Sequence, residues 1–139
     1  METKVRVEKS VSRSGLHMRI STYFTISKDC IKVTSRVLDK AGVKPTYAKG
    51  EAYDALVEIP PGTFLVALDV RRNPRRKVRG DVTVYSSAGT VVFKAVYRKL
   101  KIRLIECHID QSQAYSIIKC VVDLLKLPVK RYGLSRCKS

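Results

Sequence analysis

Between Phe64 and Leu104 the apolar residues recur at every second position, and that period leaves little freedom in the choice of fold. Phe64, Val66, Leu68 and Val70 form one run, Val78, Val82 and Val84 a second, and Val91, Phe93 and Ala95 a third. A period of two sends alternate side chains to opposite faces, as in a strand buried on one side. After Tyr97 the phase changes, and the apolar positions become Leu100, Ile102 and Leu104. A single strand burying Ala95 and Tyr97 would also bury Lys101, so the chain must turn near Arg98-Lys99. That hairpin is expected to pair Ala95 with Ile102 and Phe93 with Leu104 on one face. On the other face it sets Lys94 opposite Arg103 and Val96 opposite Lys101. A turn at Ser86-Ser87-Ala88-Gly89 precedes it and is expected to place Asp81 against Lys94. Four antiparallel strands result, one face apolar, the other basic and carrying Thr83, Tyr85 and Val92.

The same region collects the charge. From Arg71 to Arg103 there are eleven cations (Arg71, Arg72, Arg75, Arg76, Lys77, Arg79, Lys94, Arg98, Lys99, Lys101 and Arg103) against the single acid Asp81. This surplus of ten is well over half of the net +16 of all 139 residues. Six of the nine residues from Arg71 to Arg79 are cationic, around an Asn73-Pro74 turn. Protecting a sheet edge needs one or two lysines. Six cations, mostly arginine, suit phosphate, because the guanidinium fork matches its oxygens. A rigid positive surface of this kind calls for a polyanionic partner, and nucleic acid is the reading taken.

The flanks complete an α+β plan of four or more antiparallel strands, packed by a helix from the N-terminal half and a C-terminal helix. Val5, Val7 and Val11, then Leu16, Met18, Ile20, Thr22, Phe24 and Ile26, alternate about Ser12-Arg13-Ser14-Gly15, which predicts a hairpin. His17, Arg19, Ser21 and Tyr23 fall on its other face, with His17 expected in solvent. Over 27–41, Ser27 suits an N-cap, Ile26 and Ile31 a hydrophobic staple, and Gly42 a helix end. Cys30, Ile31, Thr34, Val37, Leu38 and Ala41 keep the spacing of one buried helical face, with Lys28, Lys32, Arg36 and Lys40 outward. Residues 46–61 read as helix or strand, ended by Pro60-Pro61-Gly62. Asp110 caps the last helix, with Gln113 at the capping-box position. Ala114, Ile117, Ile118, Val121, Val122, Leu124 and Leu125 form its apolar stripe, and Leu127-Pro128 stops it. So wide a stripe covers the sheet and leaves room for a homodimer through the 111–127 helix. The expected organisation is one nucleic-acid-binding domain, 1–128, followed by a mobile basic tail, 129–139, with Lys130, Arg131, Arg136 and Lys138.

Composition narrows the class. A chain with 45% hydrophobic residues and clear periodicity is not a disordered basic tail. No apolar run approaches the ~20 residues of a membrane span, and Met1 to Ser14 lacks a signal-peptide core, so the expectation is a soluble, cytoplasmic protein. Cys30, Cys107, Cys120 and Cys137 form no C-x-x-C pair. Cys30 and Cys120 read as small buried hydrophobes, and Cys107-His108 beside Asp110 as a poor metal site, since adjacent strand residues point apart. One asparagine and two glutamines among abundant Lys and Arg suggest a thermophilic source.

Catalytic patterns are scarce: there is no phosphate-cradling glycine loop, no H-E-x-x-H and no nucleophile beside a base. The 27–41 segment, Asp54 in Asp-Ala-Leu-Val-Glu and Asp69-Val-Arg71 resemble the layout of PD-(D/E)XK nucleases. That resemblance implies Asp54 and Asp69 as metal ligands and Arg71 in the place of a lysine. A guanidinium keeps its proton, and 78–106 reads as strand where that family has a helix. Four antiparallel strands followed by a helix, with a basic exposed face, look like the positive-cofactor-four family of single-stranded-DNA binders. The whole layout over 25–128, basic helix first and long apolar helix last, is also similar to the ThermoDBP family of archaeal single-stranded-DNA-binding proteins. These resemblances imply a dimer holding a single strand with aromatic stacking, for which Tyr85 is the best-placed ring. The expectation is therefore a non-catalytic binder without cofactor or metal, contacting phosphates and favouring single-stranded DNA. RNA in a ribonucleoprotein, the nuclease, and a structural or viral assembly role are the alternatives.

Overall fold

A computed structural model of the chain describes residues 4–41, 44–46, 50–73, 75 and 78–137. Among these, eleven strands form a sheet with one helix against it. The strands are β1 (Lys4–Ser14), β2 (His17–Ser27), β3 (Lys32–Val33), β4 (Arg36–Lys40), β5 (Lys44–Thr46) and β6 (Gly50–Glu58). They continue with β7 (Thr63–Arg72), β8 (Val78–Tyr85), β9 (Val91–Arg98), β10 (Lys101–Cys107) and β11 (Arg131–Gly133); the helix, α1, is Gln111–Leu125. The spatial order is β11-β10-β9-β8-β7-β2-β1-β6-β4, with β3 paired to β2 and β5 to β6. Every pairing is antiparallel except β10 with β11.

The period-two reading of 64–104 is realised as β7 to β10. Val66, Leu68, Val82, Val84, Phe93, Ala95, Ile102 and Leu104 are buried on one face beneath α1. Asp110 caps α1, its carboxylate accepting the Gln113 N–H at 2.9 Å. Ala114, Ile117, Ile118, Val121 and Val122 are buried as the spacing requires, each large aliphatic contributing roughly 1.5–3 kcal/mol on full burial. A smaller core lies on the opposite face, where Val5, Val7, Ala55, Val57 and Ile59 pack on Leu65, Tyr23, Ala67 and Tyr85. Pairing of β1 with β2 covers Ser10 to Ser14, whereas its pairing with β6 runs from Lys4 to Val11. The first half of β1 thus leaves β2 and covers, with β6, part of the helix-free face.

Several expectations are corrected. The 27–41 segment is not a helix. The Ser27 hydroxyl accepts the N–H groups of Asp29 and Ile31, both at 3.2 Å, in a tight turn with Cys30 at φ 66°. β3 and β4 follow. The chemistry that makes Ser27 a good cap serves the turn equally well, and Ile31, Val33, Thr34 and Val37 favour strand. Ile31 is 63% exposed, so no staple to Ile26 forms. The basic-helix-first layout of the ThermoDBP resemblance is absent with it.

The cysteines are bonded. Cys30–Cys120 ties the turn after β2 to α1, and Cys107–Cys137 ties the end of β10 to the C-terminal segment. Partners 90 and 30 residues apart leave no spacing motif to read. The 129–137 segment is correspondingly not a loose tail, because β11 extends the sheet and the Tyr97 hydroxyl donates to the Pro128 carbonyl at 2.7 Å. Lys138 lies outside the described residues.

The β9–β10 register is displaced by two from expectation. Ile102 faces Tyr97 and Leu104 faces Ala95, while Arg103 faces Val96 and Lys101 faces Arg98. Both turn residues, Lys99 and Leu100, have positive φ, giving the two-residue loop that closes the β9–β10 hairpin. Asp81 faces Val96 rather than Lys94, and a bulge turns Val92 into the helix-side core. Of the ambiguous 46–61 stretch, residues 50–58 are strand β6, and 47–49 lie outside the described residues.

Candidate functional site

The registers align one position from each of six adjacent strands. Arg19 on β2 lies beside Arg71 on β7, and Arg71 beside Arg79 on β8. Arg79 lies beside Arg98 on β9, Arg98 beside Lys101 on β10, and Lys101 beside Arg131 on β11. Six cations thus follow one another directly across the sheet, at one end of its strands. At the interstrand spacing the row is about 24 Å long. Arg71 shares its phase with Leu65 and Ala67, so the row is on the face away from α1.

Two open clefts flank this row. The first, about 640 Å³, is lined by Arg19, Arg71, Arg72, Arg79 and Arg98, with His17 and Ser12 at its margin. The second, about 670 Å³, has Arg79, Arg98, Lys101, Arg103, Lys130 and Arg131 around it. Arg79 and Arg98 border both, and no carboxylate lines either among the described residues.

Acids occupy the neighbouring row instead. Two residues along from Arg71 and Arg79 stand Asp69 and Asp81, directly opposite one another. Asp69 accepts Arg19 Nε at 3.1 Å, Arg71 at 3.2 Å and the Ser21 hydroxyl at 3.1 Å. Arg79 reaches Asp81 at 3.4 Å, and Arg19 also approaches Glu8 at 3.4 Å. The side chains of Arg71 and Arg79 still remain more than half exposed. Exposed pairs of this kind contribute about 0–1 kcal/mol and orient more than they neutralise.

The expected site residues divide accordingly. Arg71, Arg72, Arg79, Arg98, Lys99, Lys101 and Arg103 come together around the two clefts. Arg75 is exposed in the β7–β8 loop, its N–H on the Asn73 carboxamide oxygen at 3.1 Å; Arg76 and Lys77 lie outside the described residues. Lys94 and Tyr85 do not join them. Lys94 faces Thr83 and Glu106, four residues along β9 from Arg98. Tyr85 is half-buried against the smaller core, six residues along β8 from Arg79. Burial, and then the nearby Tyr53, raises the Tyr23 hydroxyl above its ordinary pKa of 10.0 in the same covered region.

Arg19 was not among the expected residues, and Lys130 and Arg131 were expected only as part of a mobile basic tail. Alternation put Arg19 on the correct face, but its place beside Arg71 depends on β2 pairing with β7 across some fifty residues. Arg131 sits in a three-residue parallel strand, too short to show a period. The acids of the nuclease layout do not meet. Asp54 on β6 faces Glu8, whereas Asp69 on β7 is separated from β6 by β1 and β2. No cluster of three or more metal-ligating side chains occurs among the described residues, and none of their helices is long and apolar enough to cross a membrane.

Compared with protein-family models, curated proteins and solved structures, the chain matches none.

Proposed function

We propose that the protein binds nucleic acid through its phosphates, with the polymer laid across the strands along the row from Arg19 to Arg131. The supporting observation is the unbroken succession of six cations on six adjacent strands. Like charges directly opposite one another destabilise a sheet, by about 1 kcal/mol per pair at 4–5 Å even in water. Where no acid intervenes, as along Arg98, Lys101 and Arg131, folding gains nothing from that arrangement, and an anionic polymer offsets it. Five of the six are arginine, the side chain that grips phosphate in a fork. The row's length exceeds any single small anion. Helix-free and exposed, the sheet end acts as a basic face. Single-stranded DNA is the first choice of polymer.

Titration of labelled single-stranded DNA, RNA and duplex at several salt concentrations tests this. Full occupancy of the row predicts log K falling with log salt by a slope of about 4 for a single strand, at ~0.7 per phosphate. Absence of binding at low salt, or binding indifferent to salt, would overturn the proposal. The two disulfides fit an oxidising compartment or the interior of a hyperthermophile, and the second agrees with the scarcity of amides.

A further inference from the structure

The second cleft has an apolar floor inside its cationic rim: Val96, Leu100 and Ile105 line it together. Two of these residues are placed at a cost. Leu100 stands 36% exposed with φ 61°, a left-handed conformation at a turn position that glycine or asparagine fills without strain. Ile105 is 46% exposed at a bulge, where one extra residue interrupts the ladder between Leu104 and Glu106. Strained or irregular backbone that presents bare aliphatic surface is a pointer to a ligand.

Resting on the nucleic-acid reading, we infer that this trough over β9 and β10 is a subsite for an unpaired nucleobase whose phosphates sit on Arg98, Lys101 and Arg131. Val96 is two residues along β9 from Arg98 on the same face, roughly 7 Å, which a sugar spans between phosphate and base. The corresponding positions beside Arg71 and Arg79 are Asp69 and Asp81, so a base there meets carboxylates rather than aliphatic carbon. In a duplex the flat face of each base is already stacked on its neighbours, so a paired base has none free for such a floor.

The test compares a short deoxythymidine oligomer with an abasic oligomer of equal length and with duplex of equal phosphate count. The wild-type protein binds the deoxythymidine oligomer roughly tenfold tighter than the abasic one. Leu100→Gly with Ile105→Thr abolishes the difference and keeps the wild-type salt slope. Leu100→Gly alone, which relieves the backbone strain and therefore folds, abolishes part of it. Equal affinity for both oligomers with a steep salt slope, or duplex bound as tightly as single strand, overturns the subsite and leaves the phosphate reading standing. Failure to bind any of the three at low salt overturns both.

Discussion

The two halves of the cationic row differ in what stands behind them. On β2, β7 and β8, Arg19, Arg71 and Arg79 are matched by Glu8, Asp69 and Asp81. On β9, β10 and β11, Arg98, Lys101 and Arg131 have no carboxylate partner among the described residues, and Lys99, Arg103 and Lys130 add to their charge. One half is locally balanced, its guanidiniums held in place by the acids. The other carries uncompensated charge around an aliphatic floor. If the row binds a polymer as proposed, the contrast predicts that β2, β7 and β8 hold it in register and that β9, β10 and β11 attract it.

The largest expected effect marks what the comparison excludes. Cys30→Ser with Cys120→Ser removes a link closing 90 residues and lowers unfolding free energy by about 4 kcal/mol, read by urea denaturation. Because that bond is on the helix side, the salt slope of binding stays as in the wild type. Cys107→Ser with Cys137→Ser frees the segment carrying Arg131, and costs slope as well as stability.

Next in size, alanine at Arg98, Lys101 and Arg131 lowers affinity about a hundredfold at low salt and reduces the slope by about 2 for single strands. Alanine at Arg19, Arg71 and Arg79 costs less, since those cations already share their charge with acids. Equal losses in the two triple variants would erase the distinction. A smaller change of opposite sign sharpens it. Asp69→Asn or Asp81→Asn frees cationic charge and raises affinity severalfold, with stability lower by about 1 kcal/mol or less. Unchanged affinity would mean that the acids play no part in setting the charge of the first half.

The smallest effect is on pH. Burial raises the Tyr97 hydroxyl above its ordinary 10.0, so the folded state keeps a proton that the unfolded chain gives up. Its contribution is complete below pH 10.0 and is lost as pH rises through the higher folded value. Tyr97→Phe flattens that alkaline decline in a melting series and lowers stability by about 1 kcal/mol through the lost bond to Pro128. A decline left as steep would assign it to other groups.

Much of this was legible in the residues. Val82, Val84, Phe93 and Ala95 could be assigned to one face and Lys101 and Arg103 to the other, because alternation is local and survives a two-residue slip of register. Asp110 and Gln113 marked the helix start for the same reason. The 27–41 segment was misread because apolar residues spaced for a helix face were also β-branched, and pairing with β2 and β6 decided between the two. Tyr85 was placed on the right face but is covered by the first half of β1 and by β6, which nothing near Tyr85 announces.

What the chain alone determined is the material of the site: an excess of arginine and lysine carried by strands of period two, hence cations on a surface of fixed shape. Which cations stand side by side was decided by the tertiary structure. Arg19 meets Arg71, and Lys101 meets Arg131, through backbone pairing between strands far apart in sequence. Hydrogen bonds of a ladder do not depend on the side chains they align, so the row becomes visible only when strand order and register are known.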